Sequence, residues 1–396
     1  MRTRLKHWLG NALLALRALV STLAVVEFLL FGVFLKPDDV VANVSINGVV
    51  RYEPGRVAVF RHPDGRTSRI TINKDGWNST IERYTSTRTP GRLRIAVIGD
   101  SYVNASQVNV EDAFPEVMSR RFGEKGMAAE VFRFGMDGAP LSQYLNVLRR
   151  EVLAYKPDVV LVQLIHNDFD ESYRFLKTRY ASSFLKIDVD ESGRAHEIEP
   201  VEFRTTIADV LRSSATFRYL YYETNLYLTL KGLVQRYFWG GQEVYDPAHI
   251  VSGIDVRTLD DMPRMSRVAR YIISEMGKLA ETKGFKLAFS MDAVRETIYG
   301  RKDEQTQKAG TLNHIAADAA SHAQLPFLDL TNMFAGDYAT HKQRFEYGYD
   351  WHWDERANQL VGETLADWIM EDPRLLGRKG PAAENEKAAG AGEKRG

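Results

Sequence analysis

Short apolar runs alternate with amphipathic stretches along most of the chain, and their spacing predicts the architecture. Leu93-Arg94-Ile95-Ala96-Val97-Ile98, preceded by Gly91 and closed by Gly99, reads as a buried strand. Glu130–Phe134 and Asp158–Leu164 read as two more, with later ones at Lys286–Ser290 and Pro326–Asp329. Between them lie helix-period segments, Val110–Phe122, Leu141–Tyr155, Met262–Thr282 and Asp303–Ala323, and a last one from Asp354 to Ile369. This alternation predicts an α/β fold, a parallel sheet with helices on both faces. Ahead of it, Arg56–Phe60 and Ser68–Ile72 flank the turn signal Pro63-Asp64-Gly65 and predict a small β extension.

Two stretches depart from that rhythm. Asp170–Asp261 is too long for a structureless loop. Within it, Phe203–Phe238 looks helical and carries Phe217, Tyr219, Tyr221, Tyr222, Tyr227, Tyr237 and Phe238, with Trp239 following. Such aromatics either form core or line a rim beside a site or a membrane interface; a lid or cap is the expectation. At the N-terminus, Arg2, Arg4 and Lys6 precede a largely apolar run, Trp8–Leu35, broken by Arg17 and Glu27. Residues 18–35 are near the minimum for a membrane span. Basic residues ahead and Asp38-Asp39 behind predict a cytoplasmic N-terminus in an inner membrane, with the body outside. The length of the run, and Lys36-Pro37-Asp38-Asp39 ahead of a possible cleavage site at Val40-Val41-Ala42, favour an uncleaved anchor over a signal peptide.

The expected division is a cytoplasmic stretch (1–10), a transmembrane anchor (11–35), a β-rich extension (36–90) and a main α/β domain (91–372) carrying the insertion 170–261. The Gly-, Ala-, Glu- and Lys-rich end, 373–396, is expected to be disordered. With 52 basic and 52 acidic residues in 396, nothing in the charge suggests nucleic acid. Cysteine is absent, and the nine histidines lack metal-binding spacing. No phosphate loop or dinucleotide fingerprint occurs, so neither metal nor cofactor is expected.

The chemistry lies at the strand ends. Gly99-Asp100-Ser101 follows the first predicted strand, where open α/β sheets present reactive groups. A serine nucleophile needs a base, a carboxylate to orient that base, and N–H donors for the developing oxyanion. Gly135-Met136-Asp137-Gly138 follows the second strand and Ile165-His166-Asn167-Asp168 the third. Tyr349-Asp350-Trp351-His352-Trp353 precedes the last helix. In this order the four segments resemble the SGNH (GDSL-type) hydrolases, a family of serine esterases and acyl-group enzymes. The resemblance covers about Arg92–Trp368 and implies a three-layer, flavodoxin-like sheet. It also implies Ser101 as nucleophile, His352 as base and Asp350 as the acid. The oxyanion donors would be Ser101, Gly138 and Asn167. The Asp-x-His-Trp form is similar to that of polysaccharide-modifying members. Tyr102, Ile165 and Arg133 differ from the family pattern of Leu or Ile, Gly and an Asn-like residue.

His166 and Asp168 read as structural neighbours of Asn167. Asp292 and Arg295 read either as substrate contacts or as a capped helix start, outside the catalytic set. The expectation is a membrane-anchored serine esterase that removes short acyl groups, acetyl foremost, from an envelope or exported carbohydrate. Its partners would be an acylated carbohydrate or small ester and the membrane, not nucleic acid. Acyl transfer to a polysaccharide hydroxyl needs the same residues. A non-catalytic glycan-binding scaffold would be marked by loss of Ser101, Asp350 or His352, and all are present.

Overall fold

Strand residues that point alternately to two apolar layers dictate a sheet covered on both sides, and this is what the computed structural model contains. It describes residues 2–174, 183–201, 211–220, 224 and 249–376. Two antiparallel hairpins come first, β1 (Asn43–Ile46) with β2 (Val49–Tyr52), and β3 (Val57–Arg61) with β4 (Thr67–Thr71). The central strands are β5 (Leu93–Gly99), β6 (Ala129–Gly135) and β7 (Val159–Leu164). Small hairpins follow, β8 (Lys186–Val189) with β9 (Ala195–Ile198) and β10 (Ile250–Val251) with β11 (Ile254–Asp255). The last strands are β12 (Lys286–Met291) and β13 (Phe327–Asp329).

The five central strands run parallel in the order β13-β12-β7-β5-β6, the flavodoxin-like order that the resemblance implies. Along β5, Ala96 and Ile98 join a core with Tyr144, Leu148, Ile272 and Leu312. Ile95 and Val97 join the opposite core with Phe114, Met118, Val361 and Leu365. The sheet is therefore sandwiched between Leu141–Arg150, Met262–Lys283 and Glu304–His322 on one face and Phe114–Glu124 and Glu355–Glu371 on the other. Successive strands leave β5 in opposite directions, β6 to one side and β7 to the other. The crevice at that switch point is where such sheets bind ligands.

Several elements differ from the sequence expectation. The predicted helix Leu141–Tyr155 breaks at Glu151, whose φ and ψ are −127° and −61°. Its carboxylate is held by Arg51 of β2 through hydrogen bonds of 2.7 and 2.6 Å. The β1–β2 hairpin, not anticipated, turns at Asn47-Gly48, both at positive φ (56° and 71°). The helix Thr331–His341 was also not expected. Of the aromatics in the insertion, Phe217 and Tyr219 lie in or beside the short helix Ala215–Arg218. Tyr221, Tyr222, Tyr227, Tyr237, Phe238, Trp239 and the tail 377–396 lie outside the described residues.

At the N-terminus an α-helix, Arg2–Val25, continues in a wider winding through Val26–Leu35. The stretch Gly10–Leu35 is long and apolar enough to cross a membrane and is almost wholly exposed.

Candidate active site

The turn after β5 is set by close approach. A Cβ on Gly135 would lie 2.2 Å from the Asn104 backbone nitrogen, and one on Gly99 would lie 2.4 Å from Val103. The short helix Ser101–Asn104 thus rests directly on the ends of β5 and β6, where no side chain fits. Asp100 caps it, accepting the Tyr102 N–H at 2.9 Å. Ser101 becomes the first helical residue, with its Oγ 3.0 Å from Asp100 Oδ2 and 2.7 Å from His352 Nε2.

His352 reaches Ser101 from the loop before the last helix. Its Nδ1 hydrogen-bonds Asp350 Oδ1, and the same oxygen accepts the His352 backbone N–H at 3.0 Å. This local turn is how a carboxylate only two residues away meets the imidazole ring. Burial works to lower the His352 pKa, yet the hydrogen bond and charge of Asp350, helped by Asp100 and Asp137, hold it above the usual histidine value. Burial acts to raise Asp350, and its bonds and charge interaction with His352 nevertheless keep it below the usual carboxylate range. Burial pushes Asp100 up to about 6.

The loop carrying this pair is held through its backbone. The Trp351 carbonyl accepts from the Tyr102 hydroxyl at 2.7 Å and from Arg295 Nη2 at 2.5 Å. Arg295 pairs with Asp292 and Glu346, each at 3.3 Å. The Trp353 indole donates to Asp292 at 3.1 Å and packs against Tyr102, Phe114 and Phe334. Asp292 and Arg295, only 1% and 2% exposed, lie beneath the loop rather than in the cleft. Asp354, the other carboxylate beside His352, caps the last helix through the Ala357 N–H at 2.8 Å.

Ser101, Asn167, Asp350, Trp351 and His352 line one cavity of about 300 Å³. The two ends of the insertion complete it, Asp170 and Glu171 on one side and Ser252–Asp255 on the other. Asn167, half-buried, hydrogen-bonds Glu171, whose carboxyl is pushed up to about 8 by burial and by the charge of Asp170. Gly138 takes a left-handed φ of 68° in an exposed turn after β6 and is not among the residues lining this cavity. His166 is buried against Asn313 at 3.0 Å and pushed down to about 4 by burial. Asp168, also buried, accepts the Ile165 N–H at 2.8 Å and the Tyr144 hydroxyl at 2.6 Å, fixing the loop that carries Asn167.

Size alone does not select this site. Cavities of about 680 Å³, beside His314 and Asp329, and about 320 Å³, beside Asp39 and Arg218, are larger. Among the described residues, the aligned Ser101–His352–Asp350 contact lies at the cavity of about 300 Å³. Among the described residues no group of three or more His, Cys, Asp or Glu side chains is arranged to hold a metal ion. Sequence reasoning brought together Ser101, Asn167, Asp350 and His352; it named Tyr102, Asp292 and Arg295 without their part in holding the Trp351 carbonyl, and it missed Glu171. The Tyr102 signal was present as a departure from the family pattern.

The parallel sheet, with a hydroxyl, an imidazole and a carboxylate aligned at its switch point, belongs to the class of α/β carboxylic ester hydrolases. Residues 95–211 match the family model described as GDSL-like Lipase/Acylhydrolase. Comparison with curated proteins finds no match. Among solved structures, the chain is similar to an acetyl xylan esterase, AlAXEase, at 14% identity over 71% of this chain and 100% of that one, with a TM-score of 0.40. It is similar to TesA at 13% identity over 72% and 100%, with a TM-score of 0.38. It is also similar to the lipase/acylhydrolase from Enterococcus faecalis at 14% identity over 70% and 95%, again with a TM-score of 0.38.

Proposed function

We propose that this esterase is a membrane-anchored serine hydrolase that removes short acyl groups from carbohydrate, with Ser101, His352 and Asp350 as its catalytic residues. The observation that carries the mechanism is the 2.7 Å contact between Ser101 Oγ and a His352 ring oriented by Asp350. Ser101 attacks the ester carbonyl as its proton passes to His352 Nε2. The tetrahedral oxyanion is met by the Ser101 N–H and the Asn167 amide, with Gly138, in the turn after β6, as the third donor that the family resemblance implies. Each such donor is worth roughly 2.7–4 kcal/mol. His352 returns the proton to the departing sugar oxygen, leaving an acyl-serine and a free hydroxyl. Water then adds to the acyl carbon, giving its proton to His352, and Ser101 leaves with that proton restored.

The lining of the cavity supports a small, polar substrate. Asp170, Glu171 and Asp255 supply acceptors for hydroxyls, and Trp351 supplies a ring face. A cavity of about 300 Å³ with this lining suits an acetyl group on a sugar better than a long acyl chain. The apolar helix Gly10–Leu35 is the anchor in this reading, with the catalytic domain on the extracytoplasmic side.

The test is hydrolysis of chromogenic acetyl and octanoyl esters by the full-length, detergent-solubilised protein, with and without an oligosaccharide acceptor. Acetate release without acceptor is expected, with little octanoate released. Release that depends on acceptor would replace hydrolysis with acyl transfer. The Ser101→Ala protein should melt at an unchanged temperature, lose turnover and no longer be labelled by a serine-directed phosphonate. Undiminished turnover in that variant would remove Ser101 as nucleophile.

A further inference from the structure

Glu27 is the one charged residue in the apolar run 18–35, and its carboxylate has partners from a distant part of the chain. It accepts from Ser214 Oγ at 2.8 Å, the Ala215 N–H at 2.6 Å and the Thr216 N–H at 3.0 Å. One turn further, on the same side of the helix, Phe31 meets the Tyr219 ring at a centroid distance of 5.1 Å. Phe31 is the buried residue of Val26–Leu35. Just past the helix end, Arg218 pairs with Asp39 at 3.6 Å. Residues 214–219 of the insertion therefore lie along the outer end of the apolar helix, touching it at Glu27 and Phe31, and pair with the chain just beyond it at Asp39.

The lowest of these contacts lies well inside the apolar stretch. Glu27 is eight residues before Leu35, at most about 12 Å along the axis at the α-helical rise. A carboxylate without partners is excluded from hydrocarbon, and so are free backbone N–H groups at a helix start. Each supplies what the other lacks. An anchor helix alone has no use for an acid at this position. A segment lying wholly above the membrane has no use for an acceptor below the helix end. The outward side chains fit the same surroundings. Leu211 and Leu220, at either end of the segment, are 44% and 39% exposed, and Phe28 and Phe34 of the helix are 74% and 72% exposed.

We propose that residues 211–220 form a membrane-inserted element that enters the outer part of the bilayer beside the anchor, with Glu27 as the acceptor for its backbone. The occupant of this surface is lipid. The inference rests on the reading of Gly10–Leu35 as a membrane span. The insertion then joins two places: its middle is fixed in lipid while its ends, Asp170–Glu171 and Ser252–Asp255, wall the catalytic cavity. The cleft would thereby be oriented toward substrates presented at the membrane surface.

The chain contains no cysteine, so single-cysteine variants report cleanly. Leu211→Cys and Leu220→Cys are compared with Ser21→Cys in the anchor and Asp64→Cys in the exposed β3–β4 turn. All are made in the full-length chain, held in membrane fragments open on both faces and treated with a membrane-impermeant maleimide. Leu211→Cys and Leu220→Cys should label about tenfold more slowly than Asp64→Cys, as Ser21→Cys does, and should label fast once detergent replaces the lipid. Protection that survives detergent means that protein, not lipid, covers the segment, and overturns the proposal. Fast labelling of both leucine positions with Ser21→Cys still protected overturns it while leaving the anchor intact. Fast labelling of Ser21→Cys as well overturns the anchor reading and the proposal together. Combined with Leu220→Cys, Glu27→Leu should raise labelling about tenfold, whereas Glu27→Gln, which keeps an acceptor oxygen, should preserve protection. Unchanged labelling in the Glu27→Leu background overturns the role of Glu27.

Discussion

Ser101 Oγ has two acceptors in reach, Asp100 at 3.0 Å and His352 at 2.7 Å, and the proposed reaction needs the second. His352 serves as base only when neutral. Its pKa lies above the ordinary histidine value of about 6.5, because Asp350 stabilises the imidazolium more than burial opposes it. The kcat/KM profile should therefore be flat at high pH and fall as pH drops through a midpoint above about 6.5. A midpoint well below that value would mean that His352 is not the titrating base. Asp350→Asn should lower turnover by roughly ten-thousand-fold without unfolding the protein, since the ring loses its fixed tautomer. Asp354→Asn should leave both turnover and stability nearly intact, because an asparagine oxygen can still accept the Ala357 N–H that caps the helix. The reverse pattern would show that the acid had been misassigned. At this scale Ser101, Asn167, Asp350 and His352 were legible because scarce chemical types stood at strand ends or before a helix. The role of Tyr102 and Arg295 was not, because both act on the Trp351 carbonyl, and a backbone acceptor leaves no trace in a side-chain pattern.

The element that depends most on hidden partners is the loop Tyr349–Trp353. Tyr102→Phe removes one of the two donors to Trp351 and leaves the ring packing against Trp353 in place. It should cost about 1 kcal/mol of stability and lower kcat more than it raises KM. Arg295→Met should be far more damaging, about 3–5 kcal/mol, because Asp292 stays buried without its cation, while Glu346 keeps Arg344. Thermal melts and steady-state kinetics on the two variants check both. A Tyr102→Phe enzyme with unchanged kcat would show that Arg295 alone holds the loop. Gly135→Ala should fold poorly or not at all, since its Cβ would meet the Asn104 backbone rather than a movable side chain; a melt at the parental temperature would contradict that. Strands β5, β6, β7, β12 and β13 were legible as apolar runs. The break at Glu151 was not, since its cause is Arg51, a hundred residues away. The β1–β2 hairpin was passed over although Asn47-Gly48 announces it, because its strands are only four residues each.

For the whole molecule, the anchor reading makes a topological prediction. A reporter active only outside the cytoplasm should be active when fused after Asp39 or at Gly396, and a cytoplasm-only reporter silent. The opposite pattern would reverse the orientation argued from Arg2, Arg4 and Lys6. The three-layer arrangement was readable from strand–helix alternation. The path of the insertion was not, because Glu27 and Ser214 are joined by tertiary contact across 187 residues.

The β extension is not a loose tether. Arg51 binds Glu151, Asn78 donates to the Asn104 carbonyl at 2.7 Å, and Ser68 donates to the Ser106 carbonyl at 2.5 Å, directly behind the helix that begins at Ser101. Between Leu35 and the first strand at Asn43 only Lys36–Ala42 remain, and Asp38 within them is paired with Arg61. In the anchored reading, the hydroxyl of Ser101 thus stands at a fixed height above the bilayer, and the protein acts as a ruler. An ester carried too close to the lipid surface, or too far out along a polymer, would pass beneath or above the cleft however well its chemistry fits.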